Sequence, residues 1–201
     1  MFDSVTYAAR RAELMRLVGG GCVLLPGNDL VGMNYRANTF PFRQDGSFLY
    51  FTGLDVPGLC LWLDCESGAE FLCGAEPDLA HTIWSGKAPS LADLGERCGI
   101  STCRPMAELA DKVRSAQTTG RTVHHLPPYH GDGVLLLSEL LDLRPQDVGA
   151  GFSRALVQGV VELRSVKSGA EVARIREAIG ISAAMYSLLM DSCVPGVTEM
   201  D

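Results

Sequence analysis

Apolar positions along the first fifth of the chain recur at helical spacing. From about Val5 to Val18 the residues Tyr7, Leu14, Leu17 and Val18 can share one face, and Gly19-Gly20-Gly21 stops the run. Short uninterrupted apolar runs follow at Cys22 to Leu25, closed by Pro26-Gly27, and at Phe48 to Thr52, Leu59 to Leu63 and Glu70 to Cys73. Runs of this length bounded by turn residues predict successive strands. Asp64 to Gly68 is a turn-rich gap of hairpin size, so at least part of the sheet is expected to be antiparallel. From Asp78 the period lengthens. Leu79, Ile83 and Trp84, then Leu91 to Leu94, then Met106 to Val113, predict three helical segments. Thr122 to His125 reads as another strand, ended by Pro127-Pro128, and Val134 to Leu143 as a helix ended before Pro145. This order predicts an α/β fold, a mixed sheet flanked by helices.

Gly149-Ala150-Gly151 marks a change of pattern, and only helices are expected beyond it, giving a body over 1–150 and a C-terminal helical segment over 151–201. Ser168 and Glu171 have capping-box spacing, which starts a long helix bearing Val172, Ile175, Ile179, Tyr186 and Leu189 as an apolar stripe. Pro195-Gly196 breaks it. The stripe needs a partner surface or pairs with itself. Thr198 to Asp201 has the pattern of a further helix start, so the sequence is expected to be a piece of a longer protein.

Seventeen basic against 24 acidic residues give a net charge of -7, which disfavours nucleic acid and anionic membrane surfaces as partners. The stretch from Ala178 to Met190 is too short to span a bilayer, which needs about 20 apolar residues. Arg10 and Arg11 do not begin an export signal, because Glu13 and Arg16 fall where its apolar core belongs. Seven cysteines without a C-x-x-C pair indicate neither a disulfide framework nor a zinc ribbon, and reduced thiols in the cytoplasm are expected. Cys60 with Cys65 and Cys98 with Cys103 read as small core residues rather than redox partners.

Stand-alone catalytic signatures are missing. Gly86-Lys87 is followed by Ala88 rather than Ser or Thr, and Gly151 to Ala155 lacks the final glycine of a nucleophile elbow. His124, His125 and His130, with Asp132, form a weak metal candidate, since neighbours on a strand point to opposite faces. Arg43 and Asp45 stand in an otherwise apolar segment. They are expected to have a structural role, paired with each other or with backbone groups, rather than to touch substrate.

The segment from Phe40 to Gly58, with Phe42-Arg43-Gln44-Asp45 and Tyr50-Phe51-Thr52-Gly53 inside it, carries the most information. Taken with Tyr7 to Arg11, Ile83-Trp84-Ser85-Gly86 and Val166-Lys167-Ser168 to Glu171, it resembles the N-terminal region of aminopeptidase P and prolidase, the creatinase-related Xaa-Pro peptidases. The resemblance implies a ribonuclease-H-like α/β domain followed by the entry helix of a pita-bread catalytic domain. It also implies that a divalent metal pair, usually manganese, is held in the parent enzyme by ligands lying past Asp201, so this chain has no catalytic or metal-binding residues and no cofactor of its own. Trp84 matches the family tryptophan that reaches a neighbouring subunit's substrate pocket, where an aromatic face packs on a proline ring. The expected partners are therefore the chain's own catalytic domain, a second subunit in a homo-oligomer, and proline-containing peptides in the parent. Gly46, and the absence of a tyrosine before Pro41, leave both aminopeptidase and dipeptidase members open. A binding module for peptides or histones, from a relative without the metal ligands, is the alternative, and a core position is the alternative for Trp84.

Overall fold

The computed structural model describes residues 2–198 and 200. Helix α1 (Ser4–Val18) begins where Asp3 accepts a hydrogen bond from the Thr6 N–H, and stops at Gly19, in the left-handed region at φ 81°. Strand β1 (Cys22–Pro26) leads into a small hairpin of β2 (Gly32–Tyr35) and β3 (Asn38–Thr39), then into α2 (Gly46–Thr52). The β4 (Cys60–Asp64) and β5 (Glu70–Gly74) hairpin follows, then α3 (Leu79–Ser85), α4 (Leu91–Cys98), β6 (Cys103–Pro105) and α5 (Met106–Thr118). Strand β7 (Val123–His124) precedes α6 (Gly131–Leu141), α7 (Pro145–Val148), α8 (Arg154–Ser165) and α9 (Gly169–Ser192).

Five strands form a mixed sheet in the order β6-β5-β4-β1-β7. Strand β4 is antiparallel to both β1 and β5, while β7 runs parallel to β1 and β6 parallel to β5. The uninterrupted apolar runs are explained by burial on both faces of the sheet. Val23, Leu25, Leu61, Leu63 and Leu72 pack against Leu14 of α1, Phe48 and Phe51 of α2, Leu91 and Leu94 of α4, and Leu156 and Val160 of α8. On the other face Cys22, Leu24, Cys60, Trp62 and Phe71 meet Leu109 and Val113 of α5, Leu137 and Leu140 of α6, and Val148 of α7. The expected mixed sheet flanked by helices is what the chain forms.

One expected strand is a helix. Over Phe48 to Thr52 the backbone is helical because Asp45 accepts from the Ser47 and Phe48 N–H groups and Gly53 terminates the turn at φ 69°. Phe48, Phe51 and Thr52 face inward at helical spacing. Another feature absent from the sequence reading is the burial of Arg11. Its guanidinium donates to both carboxylate oxygens of Glu70, at 2.7 and 2.8 Å, and to the carbonyls of Phe51 and Cys98, at 3.0 and 2.9 Å. Those carbonyls end α2 and α4, so one cation satisfies the negative ends of two helices while joining them to β5.

The chain divides into two compact units, Met1–Leu163 and Arg164–Asp201. The first extends past Gly149-Gly151 because α8 sinks Leu156 and Val160 into its core. In the second, the expected capping box is present: the Glu171 N–H donates to Ser168 Oγ and the Ser168 N–H to the Glu171 carboxylate. Helix α9 runs 24 residues from that cap and buries none of them. The helix start expected at Thr198 to Asp201 includes Glu199 and Asp201, which lie outside the described residues. Among the described residues, no helix is long and apolar enough to cross a membrane.

Candidate functional site

Because β4 is antiparallel to both its neighbours, β1 and β5 point the same way, and β7 points with β1. The carboxyl ends of β1, β5 and β7 therefore share one edge of the sheet. Four segments leave that edge: 27–45 after β1, the stretch with α3 after β5, α5 after β6, which runs parallel to β5, and 125–133 after β7.

Helix α3 is held by its caps rather than by burial. The Asp78 side chain accepts from the His81 N–H at 2.7 Å, and Gly86, at φ 82°, ends the helix. None of its residues is buried, and Leu79, Ile83 and Trp84 are 75%, 70% and 87% exposed. Trp84 is not a core residue of this domain. Three large apolar side chains on two turns form an exposed patch of the kind that marks an interaction surface.

Gln44 and Asp45 pin the segment after β1. Gln44 is buried; its Oε1 accepts from the Asn28 and Asp45 N–H groups, at 2.7 and 2.9 Å, and its Nε2 donates to the Val56 carbonyl at 2.8 Å. Asp45 caps α2 and accepts from the Tyr129 hydroxyl at 3.0 Å, which ties the β1 and β7 segments together. The structural role expected of Asp45 holds, with backbone partners and not with Arg43. Arg43 is exposed, and it forms no ion pair among the described residues. The buried polar group in the Phe-Arg-Gln-Asp run is Gln44. Its neighbours on both sides are charged, and no sequence pattern marks an uncharged amide as the one that turns inward.

Next to this clamp lies a cleft of about 570 Å³, lined on one side by Asn28, Asp29, Phe40, Phe42 and Arg43, and on the other by His130, Asp132 and Leu136. The histidines do not converge. His124 Nδ1 lies 2.7 Å from Ser153 Oγ and its Nε2 3.1 Å from the Gly20 carbonyl, and burial holds its pKa below the usual value. His125 is buried with Nδ1 2.9 Å from the Leu126 carbonyl, and His130 tilts against the Tyr129 ring. Among the described residues no three His, Cys, Asp or Glu side chains are grouped to hold a metal.

The seven cysteines are free thiols. Burial pushes Cys60 and Cys73 up to about 12 and Cys22 and Cys98 up to about 11, values of protonated, poorly nucleophilic side chains. These are packing residues: Cys22, Cys60 and Cys73 face the core from the sheet, and Cys98 does so from the end of α4. Arg121 donates to Asp64 at 2.6 and 2.9 Å, with Glu66 3.1 Å from its Nε, and the contact holds the Asp64 carboxyl well below the usual carboxylate range. This group sits at the opposite end of β4 from the cleft and fastens the 64–68 turn to the start of β7.

Several known proteins are similar to this chain. The Xaa-Pro aminopeptidase of Escherichia coli K12 is 29% identical over 168 residues, covering 80% of this chain and 38% of its own length. That of Haemophilus influenzae is 25% identical over 206 residues, covering 97% of this chain and 44% of its own. Among solved structures, aminopeptidase P from E. coli in its low pH form superposes with a TM-score of 0.77 at 24% identity, over 99% of this chain and 47% of that one. Proline aminopeptidase P II from Yersinia pestis gives 0.78 at 21% identity, over 99% and 48%. These two likenesses show the fold. The chain thus spans less than half the length of the curated relatives it matches. The family model described as "Aminopeptidase P, N-terminal domain" matches residues 7–124, more than half of the 201, and on that match this chain belongs to the aminopeptidase P N-terminal domain family.

Proposed function

We propose that this chain is the non-catalytic N-terminal domain of a cytoplasmic, metal-dependent Xaa-Pro aminopeptidase or dipeptidase, with a ribonuclease-H-like fold. In this reading it assembles with its own catalytic domain and a second subunit, and lends Trp84 to close that subunit's proline-peptide pocket. The observation that carries the reading is α3: a helix fixed by its caps, with Leu79, Ile83 and Trp84 turned to solvent. A flat indole gives a large apolar contact at little entropic cost, and can pack on a proline ring while excluding water. Helix α9, which buries none of its residues, supports the same reading as the entry helix of the catalytic domain, its Ile175, Ile179 and Leu189 covered there.

The metal pair of the family does not fit the residues present. Among the described residues no carboxylate and histidine group is assembled to hold even one ion. In this reading the chain's own contribution is binding and exclusion of water. In the full-length polypeptide, Trp84→Ala is expected to weaken turnover of Xaa-Pro peptides while circular dichroism stays unchanged, because a side chain exposed in its own domain costs the fold little to remove. Unaltered kinetics would remove Trp84 from the pocket.

A further inference from the structure

We propose that the cleft beyond the carboxyl ends of β1 and β7 is a binding site for a short peptide with two free ends and an apolar side chain. The site is distinct from Trp84, and the inference does not rest on the role proposed for that residue. Its position is the first argument. β1 and β7 are adjacent and parallel, yet the chain leaves β1 toward α2, whose Phe48 and Phe51 pack on one face of the sheet, and leaves β7 toward α6, whose Leu137 and Leu140 pack on the other. Two parallel neighbours whose connections depart to opposite faces make a topological switch point, and the crevice outside it is where open α/β sheets bind ligands.

The crevice here is real and is held open. Gln44 fixes the Asn28 backbone, and the Asn28 amide donates to the Arg43 carbonyl at 2.9 Å and to the Tyr129 hydroxyl at 3.3 Å, so both walls are tied at their base. Its volume of about 570 Å³ lies within the range of small-ligand pockets. Val31, Phe40, Phe42 and Leu136 give it an apolar lining suited to a side chain.

The charges on its walls set the ligand class. Arg43, on the β1 side, and Asp132, on the α6 side, line the same cleft, and neither forms an ion pair among the described residues. Asp29 adds a second carboxylate. A simple anion meets two carboxylates there and a simple cation meets the guanidinium. A ligand with both a carboxylate and an ammonium, separated by an apolar body, satisfies both. The carboxylate pairs with Arg43, whose planar fork suits it, and the ammonium pairs with Asp132. The cleft has room for a few residues.

The test uses the 201-residue chain and the tripeptide Ala-Phe-Ala, which contains no proline, by titration calorimetry and backbone amide shifts. Saturable one-to-one binding is expected, with shifts at Gly27, Arg43 and Gly133. Amidating the peptide's C-terminus should weaken binding about tenfold, the loss of one charge-assisted contact. Arg43→Gln should weaken binding of the free peptide similarly and abolish the difference between free and amidated forms. Asp132→Asn should do the same for N-acetylation. Both residues are exposed, so the variants are expected to fold, and Trp84→Ala should bind like the parent chain. Absence of saturation, equal affinity for free and amidated peptide, or wild-type binding by Arg43→Gln would each overturn the proposal.

Discussion

Replacing Arg11 by Met removes a side chain that is fully buried and donates to five oxygens, among them Glu70 Oε1 and Oε2 and the Phe51 and Cys98 carbonyls. Methionine fills most of the volume, so the loss is electrostatic. Deleting one partner of a buried pair costs about 3–5 kcal/mol, and the 23% exposure of the Glu70 side chain places this pair near the lower figure. The two buried carbonyls left without a donor add about 1 kcal/mol each. The sum, about 5 kcal/mol, is a large part of the roughly 5–15 kcal/mol that stabilises a domain. Urea unfolding followed by tryptophan fluorescence, to which Trp62 stacked on Phe71 contributes from the core, measures it, and a midpoint lower by about 2 M is expected. In the Arg11→Met/Glu70→Leu double variant part of the loss should return, because the stranded carboxylate is gone. A change below about 1 kcal/mol for Arg11→Met would refute the claim that this cation holds α1, α2, α4 and β5 together.

At Gly53, φ is 69° and an added Cβ would stand 2.2 Å from the Tyr7 ring, so Gly53→Ala is expected to cost about 2–3 kcal/mol in the same assay. Gly68→Ala, with a similar φ of 71° and nothing within 4 Å, should cost only about 1 kcal/mol, and equal losses would show that backbone strain alone governs both. Asp64 has a folded pKa below its ordinary value of 3.8, because Arg121 and the Ser67 and Glu66 N–H groups favour the carboxylate. A depressed pKa gives stability that is complete above the unfolded value and is lost as pH falls through the folded one. The parent chain should therefore exceed Asp64→Asn in stability at pH 7, with the gap narrowing steadily below about pH 4. A gap independent of pH would contradict the pairing.

Sheet strands and long helices were legible because each buries its residues with the period that the sequence displays. Leu59 to Leu63 and Glu70 to Cys73 fall on β4 and β5 almost residue for residue, and Ser168 and Glu171 mark the start of α9. Phe48 to Thr52 does not display its helical period, because five residues are too few for apolar content to reveal one. The signals that decide it, Asp45 before the run and Gly53 after it, are caps. Strands β2, β3 and β6, two to four residues long, carry no pattern at all. Arg11 stands at helical spacing between Tyr7 and Leu14, which places it on the buried face. Its partners, however, come from α2, α4 and β5, and no local rule brings those together. Trp84 was legible as a motif residue, while its exposure depends on α3 finding no surface in this domain. The cleft was invisible for a similar reason, since it exists only where the ends of two parallel strands meet.

The central claim, that this domain binds and shields but does not hydrolyse, is tested most directly by incubating the purified 201-residue chain with an Xaa-Pro dipeptide and manganese and following release of proline. The account predicts no release above buffer at any protein concentration. Release that rises in proportion to the protein and stops on chelation would contradict it.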